Sequence, residues 1–149
     1  MSELCELYQE LIIDHGRHPR NFGILPNANY EKQGFNPLCG DKLVLYLKVD
    51  QDVIQQASFK GEGCAISMAS ASLMTESLIG KSLMQAERLF TDFRQMITQG
   101  RNEESAAKLG KLVALGGVVE YPARIKCAIL AWHTLSAIIK GETGEVSTE

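Results

Sequence analysis

The sequence predicts an α+β domain, a small antiparallel sheet of about three strands packed against several helices. Three observations carry that prediction. Residues 42–49, "KLVLYLKV", alternate in side-chain character as a strand with one buried side does. The next apolar run, "VIQQASFK", follows after only "DQD", which leaves no room for a crossover helix, so the two strands pair antiparallel. After "GEGC" the apolar spacing turns helical and remains so to about Lys140.

The elements follow in order. Leu4, Leu7, Leu11 and Ile12 share one face at a 3.6-residue period, which predicts a first helix from about Glu3 to His15. Pro19 and Gly23 in "HPRNFG" stop it. The stretch Asn29–Phe35 is read as a third strand. In the central strand Leu43, Leu45, Leu47 and Val49 face one side, and Lys42, Val44, Tyr46 and Lys48 the other. "AISMASASLMTESLIG" is rich in small residues, which let a helix lie close to its neighbours, and ends at Gly80. Ser82 and Gln85 form a capping box for a helix that buries Ala86, Leu89, Phe90, Phe93 and Ile97 and meets Gly100. Leu109, Leu112 and Val113 predict a short helix ending at Gly116-Gly117. The last helix opens at Pro122, suited to a first turn, and stops at Gly141. The domain is expected over 1–141, with a flexible polar tail over 142–149.

Composition narrows the function. The 149 residues are 45% apolar and 22% charged with a net charge of −3, as in one globular domain. No basic stripe tracks phosphates, which argues against nucleic acid as a partner. No apolar run reaches membrane-spanning length, and "MSELCELYQE" lacks the layout of a signal peptide. A cytoplasmic setting follows, where cysteines are read as metal-binding or reactive before disulfide-forming.

Taken one at a time, a free cysteine is most simply a small core residue. Three of the four here have telling surroundings. Cys39 stands in "NPLCGD", before a strand; Cys64 follows Gly61 and Gly63 at a helix start, where free amides and the helix dipole favour a thiolate; Cys127 lies about a turn and a half into the last helix. The three converge if that helix packs beside the end of the sheet. Asp41, two residues after Cys39, is either a turn carboxylate or a fourth ligand. Three thiolates and a carboxylate suit tetrahedral zinc, and equally an iron–sulfur unit with one non-thiolate position. Structural zinc sites usually close with Cys and His alone, so Asp41 argues for a site that opens. Cys5, near the start of the first helix, is read as packing or surface. His15 and His18 cap the first helix or meet a partner. His133, six residues beyond Cys127, is badly spaced to share its metal.

Together "LYQELIIDHGRHPRNFG", "NPLCGD", "GEGCAISMASASLMTE" and "YPARIKCAILAW" resemble the U-type iron–sulfur cluster assembly family, in the family's order and over most of the chain. Within it the sequence is similar to the SUF-system (SufU) branch. Its segment between Gly80 and Cys127 is long, with an insert near 95–117, and Lys126 stands where scaffold relatives carry histidine. The proline-rich chaperone motif of the scaffold branch is not evident in "VEYPARIKC".

The resemblance implies a SufE/IscU-like fold and a zinc site of Cys39, Asp41, Cys64 and Cys127. It implies a SufS-like cysteine desulfurase as partner, with downstream iron–sulfur assembly proteins. Cys39 is the implied sulfur acceptor and Cys127 the alternative, and Arg124, with Lys126, faces the site or the partner. The expected activity is zinc-dependent acceptance of persulfide sulfur, a sulfurtransferase step rather than conventional small-molecule catalysis. The alternatives are a scaffold holding iron or a transient [2Fe–2S] cluster, and a structural zinc module.

Overall fold

The computed structural model describes residues 2–37, 39–142 and 146–147, with side chains from Tyr8 onward except that of Val146. Helix α1 spans Ser2–Arg17, two residues beyond the expected end. Leu11 and Ile12 pack against the core as their spacing predicts. The expected Leu4 and Leu7 contacts, and the Cys5 side chain, lie outside the described residues.

Three antiparallel strands follow, β1 (Tyr30–Asn36), β2 (Asp41–Asp50) and β3 (Val53–Glu62). Gln51 and Asp52 turn β2 into β3 with φ of 51° and 62°, the left-handed pair of a tight hairpin. Leu43, Leu45, Leu47 and Val49 all face the core. Tyr46, on the opposite side, is nevertheless only 4% exposed. Its cross-strand partner Ser58 donates to Gly23 O, and Phe22 bridges Phe59, so the segment after α1 runs along the β3 edge. Strand β4 (Val146–Ser147) adds to the three expected strands, pairing parallel with Gly34 and Phe35 of β1 and giving the order β3-β2-β1-β4. Apart from this pair and Glu142, the expected tail lies outside the described residues.

Helix α2 (Ala65–Leu78) uses its small residues as the sequence implies. Ser70 Oγ donates to Ala128 O at 2.5 Å and accepts from Trp132 Nε1 at 3.1 Å, which brings α2 against α5 (Pro122–Lys140). Helix α3 (Leu83–Gln99) starts with both halves of the Ser82–Gln85 capping box. It buries Phe93, whose ring stacks on Trp132 at 4.5 Å between centroids.

The short helix expected around Leu109–Val113 divides in two. Helix α4 (Glu103–Leu109) is capped by Asn102, and a 3-10 helix then runs from Gly110 to Glu120. It passes through Gly116 and Gly117 rather than stopping there, because neither adopts the left-handed conformation that ends a helix. Helix α5 opens at Pro122 and ends at left-handed Gly141, as predicted. It lies on β1 at Gly34, where an added Cβ would collide with Thr134 Oγ1 and stand 3.2 Å from Leu130. The absent side chain therefore sets the depth at which α5 packs. Among the described residues no helix is long and apolar enough to cross a membrane.

Candidate metal centre

The β1–β2 hairpin, the start of α2 and the second turn of α5 meet at one end of the sheet. The hairpin closes through Asn36↔Asp41, with Gly40 N donating to Asn36 O at 2.9 Å. Gly40 has a φ of 73°, and that left-handed turn sets Cys39 on the exposed tip while sending Asp41 inward. Cys39 Sγ lies 3.2 Å from Cys127 Sγ, although 88 residues separate them. One ligand atom each from Cys39, Asp41 and Cys127 lie within 4.8 Å of one another.

Cys64 falls outside that mutual set but adjoins it. It caps α2, its Sγ accepting the Ser67 amide at 3.4 Å. Asp41 ties it in, since Oδ1 accepts Cys64 N–H at 2.9 Å and Oδ2 lies 3.9 Å from Cys64 Sγ. Asp41 itself is 0% exposed. A buried carboxylate needs such partners, which a turn residue at the surface would not. Gly63 leaves room for it, as a Cβ there would stand 2.5 Å from Asp41 Oδ1.

A tetrahedral zinc ion with bonds of about 2.0–2.3 Å sets its donors roughly 3.3–3.8 Å apart. The observed 3.2 Å and 3.9 Å separations bracket that range. The donor set of three sulfurs and one oxygen thus fits zinc in kind, with Cys39, Asp41 and Cys127 already grouped and Cys64 joined to them through Asp41.

Electrostatics distinguish the thiols. Cys127 is 1% exposed, and burial pushes its thiol far above the ordinary range, with Cys39, Asp41 and Cys64 adding to the effect. Left alone it stays protonated; a bound cation reverses that balance. Arg124 is exposed one turn earlier on α5, and its guanidinium is held in the charged form by a hydrogen bond to Cys127 and by the nearby Cys64 and Cys39. Lys126 is half-buried beside Cys127.

The histidines do not join the site. His15 is 1% exposed, its Nδ1 2.7 Å from Ser72 Oγ and its Nε2 3.7 Å from Glu76, so it ties α1 to α2 rather than meeting a partner. His18 is exposed, its amide bonded to Asp14 O. His133 packs edge-on to the Phe90 ring.

Two residues of the centre, Asn36 and Ser67, were not singled out from the sequence. Asn36 is fully buried, with Nδ2 3.9 Å from Cys127 Sγ. Its place before Pro37 in "NPLCGD" was the available signal. Ser67 lies three residues after Cys64 and carries no signal of its own beyond that proximity.

Comparison with known proteins gives the family and the fold. The family described as NifU-like N terminal domain matches residues 7–128. A Bacillus subtilis protein named zinc-dependent sulfurtransferase SufU is 43% identical, over 96% of each chain. A Streptococcus pyogenes protein named iron-sulfur cluster assembly scaffold protein IscU is 40% identical over 94% of this chain and 87% of its own. Among solved structures, one described as an iron-sulfur cluster assembly scaffold protein for the SUF system, from Fervidobacterium islandicum, superposes with a TM-score of 0.80 at 35% identity, covering 88% of this chain and 95% of that one.

Proposed function

The chain belongs to the NifU-like N-terminal domain family, and we propose that it acts in iron–sulfur cluster assembly as a zinc-dependent sulfur acceptor, taking persulfide sulfur from a cysteine desulfurase. The observation that carries this reading is the unequal exposure of three neighbouring thiols. Cys39 is exposed on a hairpin tip, Cys64 is half-buried and Cys127 is buried. An incoming persulfide on another protein meets Cys39 first. The kinship with a protein named as a zinc-dependent sulfurtransferase supports the same reading. So do the SUF-branch features, the segment near 95–117 and Lys126 before the third cysteine.

Zinc would be held by Cys39, Asp41, Cys64 and Cys127, and when bound it keeps their thiols deprotonated at neutral pH. The chain's own groups divide the remaining work. Asp41 and Cys64 anchor each other through the amide bond between them. Arg124 and Asn36 supply donors to the Cys127 sulfur. The Cys39 thiolate attacks the outer sulfur of the desulfurase persulfide. A sulfur–sulfur bond forms at Cys39 as the one in the enzyme breaks, and the enzyme cysteine leaves as a thiolate, so no oxidant is needed. Downstream assembly proteins then receive the sulfur, in the cytoplasm, where thiols stay reduced.

The test is a desulfurase assay with labelled cysteine, run beside zinc analysis. The wild-type chain takes up label and accelerates the desulfurase, whereas Cys39→Ser takes up none while keeping its circular dichroism spectrum. Normal uptake by Cys39→Ser would remove Cys39 as acceptor and leave Cys127. Anaerobic isolation of a coloured protein with stoichiometric labile sulfide would favour the scaffold reading, in which the same four residues hold a [2Fe–2S] cluster.

A further inference from the structure

Among the described residues, Ser67 Oγ is the buried side-chain oxygen or nitrogen with no hydrogen-bond partner. Ser67 is 1% exposed. Leaving a hydroxyl unpaired in such a place is costly, and other helical hydroxyls nearby avoid it. Ser77 Oγ donates to Leu73 O and Thr134 Oγ1 to Leu130 O, each four residues back. The residue four back from Ser67 is Gly63, which precedes α2, so that carbonyl is not aligned along the helix.

Its position points at the metal centre. Helix side chains lean toward the helix N-terminus, here the end at Cys64. Ser67 N already donates to Cys64 Sγ at 3.4 Å. One turn further on the same stripe, Ser70 touches Ala128 and Trp132 of α5, so Ser67 faces α5 near the level of Cys127.

We propose that Ser67 is a positioning residue of the centre, its hydroxyl donating to Cys64 Sγ as a second donor beside the amide whenever that sulfur is a ligating thiolate. The Ser67 hydroxyl makes no bond to that sulfur in this structure, so it must turn about its Cα–Cβ bond to reach it, and a sulfur that binds metal is the stronger acceptor that holds it there. The inference rests on the proposed function only in taking Cys64 as a ligand.

The contrast between metal-free and loaded protein tests it. In Ser67→Ala the metal-free protein loses an unpaired buried group, and its melting temperature rises by about 2–4 °C. Zinc affinity, measured by chelator competition, falls by roughly 10-fold or more, as for other groups that orient metal ligands. With cobalt(II) in place of zinc, the sulfur-to-metal absorption moves to lower energy in Ser67→Ala and stays at the wild-type position in Ser67→Thr. A serine that only packs gives a lower melting temperature with unchanged zinc affinity, and that result, or an unmoved cobalt band, overturns the proposal. None of these three readouts involves sulfur transfer, so failure of Cys39 as acceptor leaves this result standing. A wild-type chain that binds neither zinc nor cobalt overturns the metal reading and this inference together.

Discussion

Replacing Gly63 by alanine would put a Cβ 2.5 Å from Asp41 Oδ1, 3.0 Å from its Cγ and 3.2 Å from its Cβ. Interiors are close-packed, so one of the two groups must move. Gly63 is not in the left-handed region, and its backbone accepts alanine without strain. The nearest clash is therefore with Asp41. That carboxylate is fully buried and accepts the Cys64 amide at 2.9 Å. Pushing it aside loses a charge-assisted hydrogen bond worth about 1.5–3 kcal/mol. In a chain of this size each kcal/mol lowers the melting temperature by about 2–4 °C, so the expected drop is roughly 3–12 °C. The same displacement takes the oxygen donor out of the metal set, so zinc affinity falls as well. Thermal melts and chelator competition read the two effects. In an Asp41→Ala background the obstructing oxygen is gone, and Gly63→Ala should cost less by at least about 1 kcal/mol, the coupling of a double-mutant cycle. Unchanged melting and affinity in the single variant, or additive losses in the double, would refute the argument that Gly63 exists to admit Asp41.

Gly34→Ala forces α5 away from β1 at Thr134 and Leu130, with an overpacking cost of about 1–3 kcal/mol. Because α5 carries Cys127, zinc affinity should fall with stability; a stability loss with affinity intact would separate the two. Ser82→Ala removes one half of a capping box at 3.1 Å and should cost about 1 kcal/mol in urea melts while leaving zinc binding unchanged. Burial, reinforced by Arg20 and Lys111 against Glu76 and Asp14, holds the His15 imidazole below its ordinary range. The unfolded chain therefore takes up a proton first, and stability is present above pH about 6.5 and declines as pH falls through and below it. Urea melts at pH 7.5 and 5.5 should show a loss that shrinks in His15→Gln; an equal loss in that variant would assign the slope elsewhere.

Features that depend on neighbours in the chain were legible beforehand. The alternation of "KLVLYLKV" announced β2, and Ser82, Pro122 and Gly141 marked helix ends that the structure reproduces. Glycines around Cys39 and Cys64 pointed to thiols needed for something other than packing. Features made by distant contacts were not legible. Tyr46 reads as open-face, yet it is only 4% exposed, which the alternation of its own strand does not announce. Strand β4 has two residues and no periodicity to detect, and exists through pairing with Gly34 and Phe35. The 3-10 helix continues through Gly116 and Gly117 although a glycine pair reads as a stop; Leu112, Leu115 and Val118 bury against the core along it.

The four candidate ligands were named from residue type and local setting, because a thiol beside a glycine or at a helix start owes its reactivity to its immediate backbone. Which of those thiols a partner can reach was decided by tertiary structure alone. Exposure depends on what packs against a residue. Gly34 lets α5 settle onto β1, which buries Cys127, while left-handed Gly40 lifts Cys39 onto the hairpin tip only 3.2 Å away.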